Sequence, residues 1–389
     1  MLLSNPFTHD PRVYNEARSL IKAGHEVTVL AWDRQREYTQ KEEVDGIHLQ
    51  RMYNTPLMEL LPYDILRLHC WWKKASSSLS TLLPVSSYDA IHCHNLDTLP
   101  IGISLKKKLH LPLVYDAHEI WGYMVARDLP RWWASYYLWK EQTLLPHVDR
   151  MITVNEPLRD YFSQLTELPI SIVMNCKPLI QSVYTPPKNK VFTLLYIGTL
   201  GKSRFLHELV DIVRDLPDIA CLIGGIGSKQ DYVSTLEKKC AATPNATFIG
   251  KVPMDQVLPR TQQADAVICM TDPQDPNNSR ALANKQFEAM VCGRPIICTA
   301  HTYPGKLTEQ EDVGLVAQYT KEDLRKAIIT LKEDRTLQKR LGQNALNAAL
   351  REYNWGKQEE KLLRLYSTLS NKTSCEKTLQ GGVWLQLCR

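Results

Sequence analysis

Residues 11–32 read PRVYNEARSLIKAGHEVTVLAW. Val13, Ala17, Leu20 and Ile21 recur at the three- and four-residue spacing of a helix with one apolar face, and Gly24 supplies its C-terminal stop. His25-Glu26-Val27-Thr28-Val29-Leu30-Ala31-Trp32 is then rich in β-branched and large apolar residues, as a strand is. With the run at residues 1–4 ahead of it, this is a strand–helix–strand unit. So short a first strand leaves the expectation that a few residues precede Met1. The alternation continues through strand-like runs at 90–93, 113–116 and 151–154. Strands separated by helices predict a parallel sheet covered on its faces.

The series halts at residues 183–190, VYTPPKNK, which read as a linker. A second series follows at 192–198, 220–224, 247–249, 266–270, 295–299 and 314–317. The expected α/β architecture is two doubly wound domains, 1–186 and 187–352, facing each other across a cleft. Ligands of such sheets bind beyond the carboxyl ends of the strands, so the cleft is where chemistry is expected. Helical patterns run from Lys321 to Tyr353 and from Trp355 to about Ser367. The segment 353–371 is expected to pack back on the first domain, and 372–389 to form a loose tail.

Composition excludes several classes. The 389 residues are 44% hydrophobic and 23% charged, an ordinary globular mixture. The net charge of +5, from 47 Lys and Arg against 42 Asp and Glu, is too small for a polybasic nucleic-acid wrapper. No apolar run approaches the roughly 18 residues of a membrane span, and the N-terminus has no signal-peptide pattern. Ten cysteines occur without a Cys-X-X-Cys pair, several inside apolar runs, which points to free thiols and a cytosolic compartment.

Three segments carry chemistry. Residues 284–290, NKQFEAM, precede 292–297, CGRPII. A helix starting near Ala281 presents free N–H groups and a positive dipole end to a phosphate. Lys285 adds a cation there, and Glu288, about one turn on, can accept hydrogen bonds from a sugar diol. The alternative is an amphipathic helix with a solvated Lys and Glu. Residues 196–206, YIGTLGKSRFL, form a second phosphate cradle. In it Arg204 offers a planar fork to two phosphate oxygens, and Lys202 is a weaker candidate. The third, residues 222–228, LIGGIGS, ends a strand in glycines that allow close backbone approach.

With these residues in place, the chain resembles the family 4 retaining glycosyltransferases of the GT-B architecture. The likeness rests on Asp10-Pro11-Arg12-Val13, on residues 23–27 (AGHEV), 88–94 (YDAIHCH) and 114–119 (VYDAHE), and on 248–252 (FIGKV), 264–266 (ADA) and 285–295. The resemblance implies two Rossmann-like domains and a nucleotide diphosphate sugar as donor. Arg204 and Lys285 would hold the diphosphate, Glu288 the ribose hydroxyls, and backbone near Lys251 and Val252 the base. Thr199, Lys202, Gly224, Gly225 and Asn284 join them on the donor side. The family usually carries a second Glu eight positions before the one aligned with Glu288, touching the donor sugar. This sequence has Arg280 there.

Breaking the anomeric bond leaves charge on the diphosphate that must be stabilised as it develops. The sequence holds no Asp-X-Asp triplet for a metal, so Arg204, Lys285 and the helix terminus are expected to serve instead, with no metal and no other cofactor. The departing phosphate oxygen is the expected proton acceptor, and the resemblance implies retention of configuration. On the acceptor side stand Asp10, Arg12, His94 and Glu119, while His118 is expected to be catalytic with Arg204, Lys285 and Glu288, bonding a donor hydroxyl or the acceptor. His118 follows a strand, and the family places a histidine in such a loop near the reacting sugar; a strand-end histidine bonded to backbone is the structural alternative. Arg12 is equally explained as a surface residue of its helix, and Glu119 as the beginning of the next one. His92-Cys93-His94 suggests a metal, but no further Cys or His stands at zinc spacing.

Residues 71–74 (WWKK) and 131–140 (RWWASYYLWK) interleave aromatics with cations, which suits an anionic membrane surface as well as core packing. The expected activity is transfer of a hexose to a glycan or glycolipid hydroxyl, as in polysaccharide biosynthesis, in the cytoplasm or peripherally on the cytoplasmic face of a membrane. Two alternatives stay open: a catalytically silent nucleotide-sugar-binding subunit that partners another transferase, and a nucleotide-sugar epimerase of the same layout. No nucleic-acid partner is expected.

Overall fold

The computed structural model describes residues 1–8, 10–62, 64–82, 88–127, 129–227 and 229–382. The chain forms two compact units, Met1–Val173 with the chain from Glu359 onward, and Met174–Gln358. The division falls ahead of the turn-rich stretch 183–190, not within it, because that stretch is bonded into the second unit. Arg294 donates to the Thr185 carbonyl at 2.9 Å, and Asn189 donates to Asp265 at 2.8 Å.

The described strands of the first unit are β1 (Leu2–Leu3), β2 (Val27–Asp33), β3 (Lys41–Val44), β4 (Ile47–Tyr53), β5 (Ile91–His94), β6 (Leu113–Ala117), β7 (Arg150–Thr153) and β8 (Ile170–Ile172). They form one sheet in the order β3-β4-β2-β1-β5-β6-β7-β8, parallel except for the β3–β4 hairpin. The sequence reading expected β1, β2, β5, β6 and β7. It missed the hairpin, whose Asp45-Gly46 turn has φ of +50° and +81°, the two-residue signal that suits the twist of paired strands. In β4, Gln50 and Arg51 are buried and hide the apolar alternation. Arg51 is there because it donates to the Pro6 and Thr39 carbonyls, each at 2.9 Å. The helix Pro11–Lys22 lies between β1 and β2, with the Asp10 side chain accepting from the Val13 N–H at its start.

The second unit holds β9 (Phe192–Thr199), β10 (Ile219–Ile226), β11 (Ala246–Gly250), β12 (Ala266–Cys269), β13 (Ile296–Thr299) and β14 (Gly314–Ala317), all parallel in the order β11-β10-β9-β12-β13-β14. All six were expected. In each sheet the winding direction reverses once, between β1 and β5 and between β9 and β12. The carboxyl ends of those strands therefore diverge, which opens a crevice in each unit.

The helical pattern 321–353 is two helices, Lys321–Glu333 and Arg335–Arg351, broken at Asp334, whose carboxylate caps the second. The last helix, Trp355–Gly382, runs beyond the expected end at 367–371 into the stretch taken for a loose tail. After Gly356 it meets no proline, and no glycine before Gly381. Its Tyr366 hydroxyl lies 2.9 Å from Nδ1 of His92 in the first unit.

Packing decides the aromatic segments. Trp71 is fully buried and stacks on Trp32 at 4.8 Å, and Trp72 is buried too, so these two aromatics of residues 71–74 pack in the core, whereas Lys73 is exposed. Of the second segment, Tyr137 is buried, whereas Trp132 and Trp139 are about 60% exposed (62% and 60%). The eight described cysteines are free, seven of them buried. No described helix is long and apolar enough to cross a membrane.

Beneath β6 the core holds a carboxyl group. Glu141 is fully buried and accepts from the Tyr115 hydroxyl. Burial pushes it up to about 8, against a smaller opposing effect of the Tyr115 bond. The folded chain thus keeps a proton that the unfolded chain releases near pH 4.5, so stability falls as pH rises between those values, by up to about 1.4 kcal/mol per pH unit. Asp97, pushed up to about 6 by burial, adds to the fall at its lower end. Because burial of His92 and His94 acts in the opposite sense over part of this range, the check is a difference: in urea unfolding from pH 5 to 8 the stability of Glu141→Gln should fall less, or rise more, with pH than that of the wild type. An unchanged slope in the variant contradicts the assignment.

Candidate functional site

In the second unit the crevice residues converge on the end of β9. The signal helix is Asn284–Cys292, and it starts at Asn284 instead of near Ala281. Residues 277–281 are held in turns, with the Arg280 and Ala281 N–H groups donating to the Asn277 carbonyl, and Ala283 is extended. The helix is anchored by Gln286, which donates to the Pro304 carbonyl at 3.0 Å and to Thr308 at 3.1 Å.

Lys285 sits in the first turn and is 8% exposed. Its ammonium lies 4.6 Å from the centre of the Tyr196 ring and 3.0 Å from where a Cβ on Gly198 would stand. The helix and the first glycine loop, two separate signals in the sequence, are thereby joined by one side chain. Among the described residues no carboxylate pairs with Lys285 or with Arg204, which ends the short 3-10 turn Lys202–Arg204. Both cations act on the end of β12. The Cys269 thiol is brought down to about 7 by a hydrogen bond with Cys298, against burial, with Lys285 and then Arg204 adding to the shift. The Asp272 N–H donates to the Ser203 carbonyl at 2.9 Å and ties the 271–283 segment to the turn that carries Arg204.

Glu288 is buried to 9% exposure and pairs with Lys177 at 3.4 Å. Lys177 was missed by the sequence reading, since its loop carries no periodicity or motif. Asn284 accepts from Asn175 at 2.7 Å. Arg280 donates to the Pro276 carbonyl at 2.8 Å. Thr199 and Lys251 are exposed. Lys202 lines a separate open groove of about 790 Å³ with His207, Glu208 and Lys229, whose described lining does not include Lys285 or Glu288.

Gly224 and Gly225, expected on the donor side, have a packing role. A Cβ on Gly225 would stand 1.7 Å from the Gly198 carbonyl oxygen, and one on Gly224 would meet Ile249 at 2.7 Å and Val252 at 2.9 Å. Glycine at 225 lets β10 close on β9, and Val252 is spent against Gly224.

In the first unit the structure gathers groups that the sequence scatters. Arg12 is 2% exposed, so it is neither a surface residue nor a free lining group. It forms a two-pronged pair with Asp116, at 2.7 and 2.8 Å, donates to the Val173 carbonyl at 2.7 Å, and lies 3.1 Å from Glu16. His94 is buried instead of standing at a crevice edge, with Nδ1 3.1 Å from Asp116. His118 Nε2 lies 2.7 Å from the same carboxylate oxygen and its side chain is 21% exposed. Asp10 caps its helix, and Glu119 is partly exposed beside His118. Asp116, Glu16 and Asn95 went unremarked in the sequence. A carboxylate ending an otherwise apolar strand, and Glu16 one turn after Arg12, were the available signals.

Charge in this cluster follows from its neighbours. Burial works against ionising Asp116, but Arg12 and then His118 hold its carboxyl well below the usual range. Burial, with Asp116 nearby, pushes Glu16 well above it. Burial lowers both His92 and His94. Glu16, His92, His94 and Asp116 do bring possible ligand atoms within 4.8 Å of one another, a grouping that a search for Cys and His alone did not pair. Arg12 touches both carboxylates, however, and already supplies the positive charge that an ion would bring. The His92 and His94 rings are stacked, with centres 4.3 Å apart and 27° from parallel.

Comparison with known proteins fits this arrangement. A family model described as Glycosyltransferase Family 4 matches residues 12–176, and one described as Glycosyl transferases group 1 matches residues 181–348. The chain belongs to the family 4 glycosyltransferases. An uncharacterized glycosyltransferase of Methanocaldococcus jannaschii is 22% identical over 307 residues, 73% of this chain and 74% of that protein. Among solved structures, sucrose-phosphate synthase from Thermosynechococcus elongatus has a TM-score of 0.79 at 17% identity, covering 95% of this chain and 98% of that one. HepE of Anabaena, in complex with UDP and glucose, has a TM-score of 0.69 at 18% identity over 94% and 99%. These structures share the GT-B fold of this glycosyltransferase.

The Arg12–Asp116 pair is testable apart from activity. Removing one partner leaves a buried charge uncompensated, which costs about 3–5 kcal/mol. Arg12→Met should lower the urea midpoint sharply, and Arg12→Met with Asp116→Asn should recover part of the loss. Additive losses in the double variant would show that the two groups are not paired.

Proposed function

We propose that this glycosyltransferase moves a hexose from a nucleotide diphosphate sugar to a hydroxyl of a glycan or glycolipid, with retention of configuration and without a metal ion. The observation that carries this reading is Lys285, a nearly buried ammonium at the end of β9 with no carboxylate partner among the described residues. A buried cation left unbalanced in the free protein suits a dianionic ligand. Arg204 adds a fork-shaped donor from the next turn, and the helix that begins at Asn284 adds backbone N–H groups.

Bond breaking at the anomeric carbon sends an electron pair to the diphosphate, and these donors stabilise that charge where it develops. Glu288, held by Lys177, accepts from the ribose hydroxyls, and the backbone at Lys251 and Val252 meets the base. The acceptor hydroxyl approaches from the face the leaving group vacates, and its proton passes to the departing phosphate oxygen. His118 lines the acceptor side, with Glu119 beside it. HepE, which shares the fold, was solved with UDP and glucose, which supports a nucleotide-sugar donor here. The exposed Trp132 and Trp139 support docking on an anionic membrane that carries a lipid-linked acceptor on the cytoplasmic side.

A second reading is a catalytically silent sugar-nucleotide-binding subunit. Arg280 favours it, because a cation replaces the carboxylate that the family places against the donor sugar. Incubation with UDP-glucose, GDP-mannose and ADP-glucose in EDTA decides between the two. Slow release of nucleoside diphosphate from one donor, reduced at least 100-fold in Lys285→Ala and retained on anionic vesicles unless Trp132 and Trp139 are both replaced, is expected. Binding without any turnover supports the silent subunit, and turnover only with magnesium or manganese contradicts the metal-free chemistry.

A further inference from the structure

Asn95 directly follows β5 and adopts a φ of +63°, a left-handed conformation that Asn tolerates better than most residues. Its own N–H donates to the Asp116 carbonyl at 2.8 Å, and its side chain meets His118 twice. The Oδ1 atom accepts from the His118 backbone N–H at 3.1 Å, and Nδ2 lies 3.3 Å from Nδ1 of the His118 ring. The first contact settles the second. A backbone N–H can only donate, so the oxygen of the amide must face it, and the NH₂ group must face the ring. That NH₂ can only donate as well, which leaves Nδ1 as a bare lone pair. The ring proton is then on Nε2, where it donates to Asp116 at 2.7 Å.

We infer that Asn95 is a positioning residue that locks His118 as the neutral Nε2–H tautomer with both ring nitrogens engaged. Asp116 is itself held by Arg12 and by His94, so the ring is clamped between two anchored partners. The other groups facing it are His94, with ring centres 5.7 Å apart, and Asp97. The inference rests on the proposed transferase reading for its purpose. A histidine fixed in this way offers the acceptor hydroxyl no lone pair, so it shapes the reaction site without taking the proton, which leaves with the diphosphate.

The test replaces the amide by a carboxylate of the same shape. In Asn95→Asp one oxygen still accepts from the His118 N–H and the other faces Nδ1, where it favours a second ring proton. Proton–nitrogen correlation spectra of the full chain labelled at histidine nitrogens, with His118 assigned through His118→Gln, read the outcome at pH 7.5. The wild type should show a protonated Nε2 and a bare Nδ1, and Asn95→Asp should show both nitrogens protonated. Asn95→Gly, which keeps the left-handed backbone, controls for folding. A proton on Nδ1 in the wild type, or spectra unchanged in Asn95→Asp, overturns the lock. In turnover of UDP-glucose, GDP-mannose and ADP-glucose, Asn95→Asp should lower kcat at least tenfold with the donor KM unchanged. Altered spectra with unaltered kcat overturn the positioning role. Wild-type failure on all three donors overturns the transferase reading and that role with it, whereas the tautomer is judged by the spectra alone.

Discussion

The first unit depends on a buried ion pair. Arg12 at the start of a helix and Asp116 at the end of β6 hold each other through two hydrogen bonds, and the same guanidinium reaches the Val173 carbonyl. Neither charge has access to water, so each requires the other. Once the pair is formed, Asp116 can accept from His94 and His118 as well, and the loops after β5 and β6 acquire fixed geometry. Glu16, the second carboxyl beside the single guanidinium, is pushed well above the usual carboxylate range by burial, with Asp116 adding to the shift. The geometry of the cluster around Asp116 thus follows from the Arg12–Asp116 pair.

The second unit is arranged the opposite way. Its crevice is unbalanced, with Lys285 and Arg204 pointing positive charge at the ends of β9 and β12 and no described carboxylate answering either. Glu288 is the nearby acid, and Lys177 answers it. The two units thus differ in charge: the buried charges around Asp116 are paired, whereas Lys285 and Arg204 have no described carboxylate partner. The glycines at 198 and 225 serve this indirectly, because they let two strand ends and the Lys285 side chain share one small space.

How much of this was legible depends on range. The strands of the second unit stand out in sequence because a parallel strand buried on both faces is a short, nearly continuous apolar run. The β3–β4 hairpin escaped because β4 buries Gln50 and Arg51, although Asp45-Gly46 marked the turn. Lys285, Arg204 and Glu288 were singled out through local motif and resemblance. Arg12 was expected to line the crevice or to lie on the surface, neither of which its buried pairing allows, and Asp116, Asn95 and Lys177 were passed over, because their partners lie far away in the chain and no local pattern encodes the pairing. The start of the helix at Asn284 was equally invisible, since it is set by turns around Asn277.

On the proposed reading, a diphosphate binds at Lys285 by side-chain and backbone charge alone. Phosphorus NMR of UDP, GDP and ADP, each mixed with the full chain in excess EDTA, tests it most directly. The account predicts that at least one nucleotide shows a shifted or broadened β-phosphorus signal with the wild type and a free-solution signal with Lys285→Ala. The same perturbation in Lys285→Ala, or one that appears only after magnesium or manganese is restored, would contradict it.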